Sequence, residues 1–347
     1  MLNYLLEYQE ELKLVKLYST TLLILIVLAI GGVLLYYFLS KEQKNTYVKS
    51  NVENNNNAFF DNLDENINTI QQVPTPSEDD WEIEDPKDYK KHWINLVCYF
   101  LIFNFVGQFI AGIFVGIYLG SQGITNLDDL PMDSLYYSTS LNIANLVTYI
   151  VTMIPVVLIS FKFIIKDSIK FYSKIKFYLK WVGYGVLLMF GLNLVCNMIV
   201  GVFTNGLNGA GESTNQAMIV KIITSSSLNT VLMMITTVIF APILEELVFR
   251  KALFGIFIKK TIFTVIFSAV IFASIHVIPA CIDIIIDMND GTKTVVDLYL
   301  EGINLISYLG QAFAITFVYY KTKGNIIPCI LIHFINNLLA TVLIFVA

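Results

Sequence analysis

The chain contains eight apolar segments long enough to cross a lipid bilayer, and this feature restricts the fold more than any other. A membrane-spanning helix needs about 20 mainly apolar residues. Backbone groups that face lipid must form hydrogen bonds within their own segment, so each segment is predicted to be a helix. The segments lie at 20–39, 93–120, 139–165, 180–203, 229–258, 262–279, 300–320 and 326–346.

The composition also indicates a membrane protein. Apolar residues make up 56% of the chain and charged residues 14%, whereas soluble proteins carry about 25% charged residues. No basic region with interleaved aromatic residues points to nucleic acid, so we expect no nucleic-acid partner. The sequence therefore predicts an all-α, polytopic membrane helical bundle of about eight transmembrane helices, integral to a bacterial cell membrane.

Composition changes along the chain predict three regions. Residues 1–39 are expected to form an N-terminal membrane anchor, and residues 93–347 a membrane-embedded core. Between them, residues 40–92 form an acidic, asparagine-rich cytoplasmic linker with twelve acidic residues and six lysines. The linker has few apolar side chains to bury, so we expect much of it to be disordered.

The lysines predict the orientation of the core. The connection 162–180 carries six lysines and one aspartate, whereas the connection 121–138 has three aspartates and no lysine. Cytoplasmic connections are enriched in lysine and arginine, so 162–180 is placed inside. Strict alternation then puts 259–260 and 321–323 inside as well, the acidic connection 283–297 outside, and both termini outside.

A pair of glutamates interrupts the fifth apolar segment. Glu245 and Glu246 are followed by Arg250, which is the sole arginine of the chain. Glu246 and Arg250 are spaced i, i+4 and can pair on one helix face, whereas Glu245 points about 100° away. A plain charge pair at a helix end is one interpretation. Two acids deep in an apolar run more often mark a functional site.

Two further pairs of residues share the i, i+4 spacing. They are Phe272 with His276 in the sixth segment, and His333 with Asn337 in the eighth. The third histidine, His92, stands at the linker boundary, and its replacement is expected to have no effect. A lone buried histidine is usually structural, but two of them beside a glutamate pair favour a site.

These groups are expected to meet inside the bilayer. Glu245 and His276 lie at similar distances from the lysine turn at 259–260, so two antiparallel helices bring them level, and His333 enters from the same side. Glu245 could activate a water as a general base, the histidines could hold that water, and Asn337 could stabilise an oxyanion. Alternatively, one glutamate and two histidines form a known zinc ligand set, although no HExxH motif is present.

The three motifs EExxxR, FxxxH and HxxxN, in this order on successive helices, resemble the CAAX-protease and bacteriocin-processing (abortive-infection) family. The resemblance covers roughly 211–346, and Asn215-Gln216 resembles a dipeptide found upstream in that family. Each motif alone is weak, but the set with this spacing is specific. The matching residues are Glu245, Glu246, Arg250, Phe272, His276, His333 and Asn337.

The resemblance implies a membrane-embedded peptidase of the lipid bilayer that cleaves a membrane-associated peptide or protein near the membrane surface. It implies Glu245 as the activating base, His276 and His333 in the catalytic cluster, and Asn337 at the oxyanion. Glu246, Arg250 and Phe272 would support them structurally. The family pattern leaves a metal open; a bound zinc would take Glu245, His276 and His333. Lys251, where many members have glycine, is expected to lie outside the site.

Two other functions compete with a peptidase. A non-catalytic immunity or scaffold protein could keep the same fold, although it would not need five costly polar groups in the membrane. A proton-coupled transporter could use Glu and His as relays, but the sequence shows no paired half-repeats. Replacing Glu245 by Gln distinguishes a scaffold from a peptidase, because a scaffold should tolerate the change and a peptidase should lose function.

Overall fold

The computed structural model describes most of the membrane core. The chain divides into two compact units, Met1–Thr75 and Pro76–Ala347. The first unit, with the predicted anchor 1–39 and most of the predicted linker 40–92, lies outside the described residues. The described residues are 81, 86–127, 129–204, 212–257, 260–289 and 291–346.

Seven helices of the described part are long and apolar enough to cross a membrane, and one shorter helix lies among them. The polytopic helical bundle that the sequence predicts is therefore confirmed for the segments from 93 onward. In chain order the helices are α1 Asp88–Ser121, α2 Leu135–Ser173, α3 Ile175–Thr204, α4 Thr214–Ser225, α5 Ser227–Gly255, α6 Ile262–Asp287, α7 Val295–Lys321 and α8 Ile326–Val346.

Hydropathy misplaced the ends of several helices. The predicted connection 162–180 is helical apart from Lys174, where α2 and α3 meet, and the predicted connection 283–297 begins only after Asp287. Helix α1 begins at Asp88, inside the predicted linker 40–92. The 39 residues of α2 extend about 58 Å, well beyond the ~30 Å hydrocarbon core. Hydropathy marks the part in lipid, not where a helix ends.

The helix that carries the two glutamates is the most enclosed span. In the most apolar 18-residue stretch of α5, 56% of the residues are buried within the protein, compared with 11% in the corresponding stretches of α1 and α3. Helix α7 packs against α3 and α6, and α8 packs against α3 and α5. Phe249, Phe254 and Phe272 are almost completely buried in this core. Polar groups on α5 therefore face other helices rather than lipid.

Helix α5 changes its winding on both sides of the glutamates. The segments Ile235–Phe240 and Leu247–Ala252 are π-helical, and Ala241–Glu246 between them is α-helical. Each π-helical turn holds more residues than an α-helical turn, and such widened turns are frequent at functional sites. The two widened segments flank the residues that the sequence singles out for chemistry.

Candidate active site

The carboxylate of Glu245 lies where four helices meet. Its side chain is buried, and its Oε1 accepts a hydrogen bond of 2.9 Å from the hydroxyl of Tyr149 on α2. Its Oε2 lies 3.8 Å from Nε2 of His276 on α6 and 4.0 Å from Nε2 of His333 on α8. The predicted meeting of Glu245 with both histidines inside the bundle is present in the structure.

Glu246 binds two partners, one more than its spacing predicts. Its Oε1 accepts a hydrogen bond of 3.0 Å from Arg250 and lies 2.8 Å from Nδ1 of His333. Arg250 also donates to the carbonyl of Ala312 on α7. Because Nδ1 of His333 is held by Glu246, its Nε2 is directed at Glu245. The two neighbouring glutamates thus lie on opposite sides of one imidazole ring, and Glu246 is the one within hydrogen-bond distance of it.

Phe272 packs against the charged groups of the site. The guanidinium of Arg250 lies 4.0 Å from the centre of its ring, which is close enough for a favourable cation–π contact. The ring also makes edge contacts with His276 and His333, with centroids 4.9 and 5.8 Å apart. One buried aromatic ring therefore contacts the arginine and both histidines.

Two tyrosines complete the site, and the sequence analysis did not identify them. Tyr149 binds Glu245, and the ring of Tyr308 stacks on His276 with centroids 4.8 Å apart. The Tyr308 hydroxyl lies 2.8 Å from Oγ of Ser213 and accepts from Asn215 at 3.2 Å. Both tyrosines belong to apolar segments, where a tyrosine gives no local signal of a site. Asn215 of the Asn215-Gln216 dipeptide thus connects to His276 through Tyr308.

Asn337 is directed at the backbone of α5. Its amide donates a hydrogen bond of 2.8 Å to the carbonyl of Thr237, in the first π-helical segment, and its oxygen accepts one from Asn336. Thr237 precedes Glu245 by about two helical turns. The observed bonds fasten α8 to α5, and the oxyanion role of Asn337 stays a prediction.

The group formed by Glu245, His276 and His333 is wider than a zinc site. Zinc bonds of about 2.0–2.2 Å place tetrahedral ligand atoms about 3.4 Å apart, whereas Oε2 is 3.8 and 4.0 Å from the two Nε2 atoms. Within the described ranges, no three His, Cys, Asp or Glu side chains are arranged to hold a metal ion. The zinc ligand set of Glu245, His276 and His333 therefore stays a prediction.

The third histidine, His92, is a buried core residue, so its replacement is not expected to be without effect. His92 on α1 is buried, and its ring stacks on Phe163 with centroids 4.9 Å apart. A Cβ atom added to Gly255 would collide with the same ring. The expectation that replacing His92 has no effect did not take this packing into account.

Comparisons with known proteins match the part of the chain that carries the three motifs. The family model "Type II CAAX prenyl endopeptidase Rce1-like" matches residues 227–339, which contain the three motifs. The chain is 27% identical over 154 residues to a Bacillus subtilis (strain 168) protein named "Putative membrane peptidase YdiL".

That alignment covers 41% of this chain and 52% of the relative, so the chain matches about half the length of that protein. No solved structure matches the chain at the same stringency. The family-model match lies within the membrane core. The resemblance to the CAAX-protease family that the three motifs indicated is thereby confirmed for residues 227–339.

Proposed function

We propose that this chain is an intramembrane endopeptidase of the CAAX-protease type. It would hydrolyse a peptide bond of a membrane-associated protein or peptide, using a water activated by Glu245. The observation that carries this proposal is the buried carboxylate of Glu245 facing the Nε2 atoms of His276 and His333. The family match at 227–339 supports the same class of reaction.

The spacing around Glu245 suits a bound water. Separations of 3.8 and 4.0 Å exceed a direct hydrogen bond, and a polar gap of this size is often bridged by one water. A carboxylate that shares a water with an imidazole can accept its proton as the oxygen attacks a carbonyl. Glu245 would then act as the base, and the histidines would orient the water or the substrate carbonyl.

The supporting residues favour a fixed geometry for this step. Tyr149 holds one oxygen of Glu245, and Glu246 holds the far side of His333. Such partners keep the catalytic groups in the orientation that the reaction needs, and a reaction slows when these groups are misplaced. Among the two histidines, His276 is the more accessible, with 18% of its side chain exposed against 3% for His333. The substrate would therefore approach Glu245 from the side of His276.

The deciding experiment compares cells that carry the native chain with cells that carry Glu245→Gln. Glutamine keeps the shape of the side chain but cannot accept the proton. Proteomics of the membrane fraction should find at least one peptide that remains uncut in the variant. The matched control is Glu212→Gln, which makes the same chemical change at an exposed position.

The fold of each variant is checked by thermal unfolding of the purified protein. The control should cleave like the native chain, and Glu245→Gln should unfold at nearly the native temperature while losing cleavage. An unchanged set of cleavage products in a well-folded Glu245→Gln variant would contradict the peptidase and leave the scaffold function.

A further inference from the structure

The two histidines of the candidate site are held in different ways. Nδ1 of His333 lies 2.8 Å from Oε1 of Glu246, which fixes that ring through a polar contact. The imidazole of His276 forms no hydrogen bond with the part of the chain that the structure describes, and its Nε2 lies 3.8 Å from Oε2 of Glu245. This separation exceeds a direct hydrogen bond. The orientation of the His276 ring must therefore come from packing.

Two aromatic rings pack against His276. Phe272 contacts it edge-on, with centroids 4.9 Å apart, and Tyr308 stacks on it, with centroids 4.8 Å apart and an angle of 20° between the rings. Phe272 lies one turn earlier on the same helix, α6, whereas Tyr308 lies on α7. Tyr308 therefore covers one face of the imidazole and ties its orientation to a second helix.

The hydroxyl of Tyr308 is anchored at the start of α4. It lies 2.8 Å from Oγ of Ser213 and accepts a hydrogen bond of 3.2 Å from the amide of Asn215. Ser213 is the N-cap of α4, and its Oγ also accepts from the backbone amide of Gln216. The Tyr308 ring cannot turn away from His276 without breaking contacts to this helix start.

A buried carboxylate holds the same helix start from a second point on α7. Oε2 of Glu301 accepts hydrogen bonds from the backbone amide and from Oγ1 of Thr214, at 2.9 and 2.8 Å. Glu301 and Tyr308 are about two helical turns apart, so they share one face of α7. Glu301 is 4% exposed, and a buried acid in a membrane span is costly and usually functional. The start of α4 is thus fastened to α7 at Glu301 and at Tyr308.

We propose that Tyr308 is a positioning residue that holds His276 opposite Glu245, and that the start of α4 sets the position of Tyr308. The proposal rests on the proposed peptidase function for its effect on cleavage. Tyr308 acts through His276 and is assigned no proton transfer of its own. In this arrangement Glu246 orients one histidine by a hydrogen bond, and Tyr308 orients the other by a stacked ring.

The test uses two variants of Tyr308 in the full chain, each with a matched control on α7. Tyr308→Phe keeps the ring but removes the anchored hydroxyl, and Tyr308→Leu removes the ring as well. The controls are Tyr299→Phe and Tyr299→Leu. The Tyr299 hydroxyl also donates one hydrogen bond, to the carbonyl of Phe203, but its side chain is exposed.

The first readout is the orientation of the His276 ring, observed without any substrate. The chain contains three histidines. Protein labelled with ¹³C at the histidine Cε1 and purified in detergent, without a histidine tag, should give three ring signals, and the His276 signal is the one missing from His276→Asn. Protons near the face of an aromatic ring are shielded, so Tyr308→Leu should move this signal downfield and Tyr308→Phe should move it less. Neither Tyr299 variant should move it.

The second readout is cleavage per folded molecule, measured by targeted mass spectrometry on the peptide that Glu245→Gln leaves uncut. Tyr308→Leu should lower cleavage by about 10- to 100-fold, because a small misplacement of a catalytic group can cost this much. Tyr308→Phe should lower it by about two- to tenfold, as expected for losing a hydrogen bond of ordinary strength. The Tyr299 variants should cleave like the native chain. A purely structural role for Tyr308 would reduce the amount of folded protein and leave both readouts unchanged.

Three outcomes would overturn the proposal. They are an unmoved His276 signal in Tyr308→Leu, an equal movement in Tyr299→Leu, and native cleavage in a Tyr308→Leu variant whose His276 signal has moved. Failure of the peptidase function itself gives a different result, because Glu245→Gln would then leave no peptide uncut. In that case the His276 signal alone decides whether Tyr308 holds the ring.

A second variant keeps the test decisive if Tyr308→Leu fails to fold. Asn215→Ala removes one donor to the Tyr308 hydroxyl and leaves both rings in place. Its control is Asn289→Ala, since the exposed Asn289 also donates one hydrogen bond, to the carbonyl of Ile285. Asn215→Ala should move the His276 signal in the same direction as Tyr308→Phe. An unmoved signal in Asn215→Ala would refute the anchoring of Tyr308 by α4.

Discussion

Two neighbouring cations on α5, Arg250 and Lys251, form buried ion pairs of different kinds. Arg250 pairs with Glu246 one turn earlier on the same helix, and both side chains are completely buried. Lys251 pairs with Asp167 on α2, and it also donates to the carbonyl of Gly324. The Arg250 pair contacts His333 through Glu246, whereas the Lys251 pair joins α5 to α2.

The difference between the pairs predicts different consequences of breaking them. The Arg250 pair holds His333 through a shared oxygen of Glu246, so its loss should affect both folding and cleavage. The Lys251 pair holds the start of α8, because Asp167 also accepts from the backbone amide of Ile326. Its loss should affect folding alone. Stability and activity can therefore be separated at adjacent residues.

The largest effect is expected for Arg250→Ala. It leaves Glu246 charged and uncompensated in the core, and removing one partner of a buried pair typically costs about 3–5 kcal/mol. We expect a low yield of membrane-inserted protein, a reduced unfolding temperature and no cleavage. Arg250→Lys is the control, because it keeps the charge but loses the planar fork that reaches Glu246 and Ala312. Normal yield and stability of the alanine variant would show that the pair is not formed.

A smaller loss of stability is expected for Glu246→Gln than for Arg250→Ala. Glutamine keeps the shape but removes the charge that pairs with Arg250, and hydrogen bonds to charged groups contribute about 1.5–3 kcal/mol. Glu245→Gln makes the same change one residue away without stranding a cation, so its stability should stay within about 1 kcal/mol of the native value. Denaturation of both variants in detergent measures the difference, and equal stabilities would refute the division of roles between the two glutamates.

Lys251→Met should destabilise the protein by about 1–3 kcal/mol. The cost is less than at Arg250 because Asp167 keeps a hydrogen bond from the backbone amide of Ile326. Cleavage per folded molecule should remain, since Lys251 contacts none of the proposed catalytic groups. The double variant Lys251→Met/Asp167→Asn should recover part of the loss, which a double-mutant cycle measures. Loss of cleavage at native stability would place Lys251 in the catalytic machinery instead.

The two pairs also show what the sequence can predict. The Arg250 pair is local, so its i, i+4 spacing indicates it directly. The partner of Lys251 lies 84 residues away, and nothing in the local pattern of either residue points to the other. For the same reason, Tyr149 and Tyr308 could not be assigned, although Glu245, His276 and His333 could. The three predicted residues are polar groups in apolar helices, whereas a tyrosine is ordinary there.

Helix existence was predictable for a physical reason, and helix ends were not. Lipid requires each apolar segment to satisfy its backbone internally, which fixes the helices from 93 onward. Outside the hydrocarbon core that constraint disappears, and α2 continues through its lysines to Ser173. As a result, Lys162, Lys166 and Lys170 lie on one helix rather than in a loose connection.

The smallest effect is expected beneath the Lys251 pair, where His92 and Gly255 are in contact. His92 stacks on Phe163, whose ring centre lies 5.4 Å from Nζ of Lys251. His92→Ala should cost about 1–2 kcal/mol through lost packing without changing cleavage per folded molecule. Gly255→Ala should cost a similar amount, because its new Cβ would collide with the His92 ring.

The double variant His92→Ala/Gly255→Ala makes this contact testable, because the methyl group of the new alanine would occupy space left by the imidazole. The double variant should then lose at least about 0.5 kcal/mol less stability than the two single variants lose together, as expected for residues in direct contact. Denaturation of the four proteins in detergent gives the coupling. Strict additivity would mean that the two residues do not touch. Lost cleavage in a stable His92→Ala variant would bring the third histidine into the function, contrary to its position outside the Glu245 cluster.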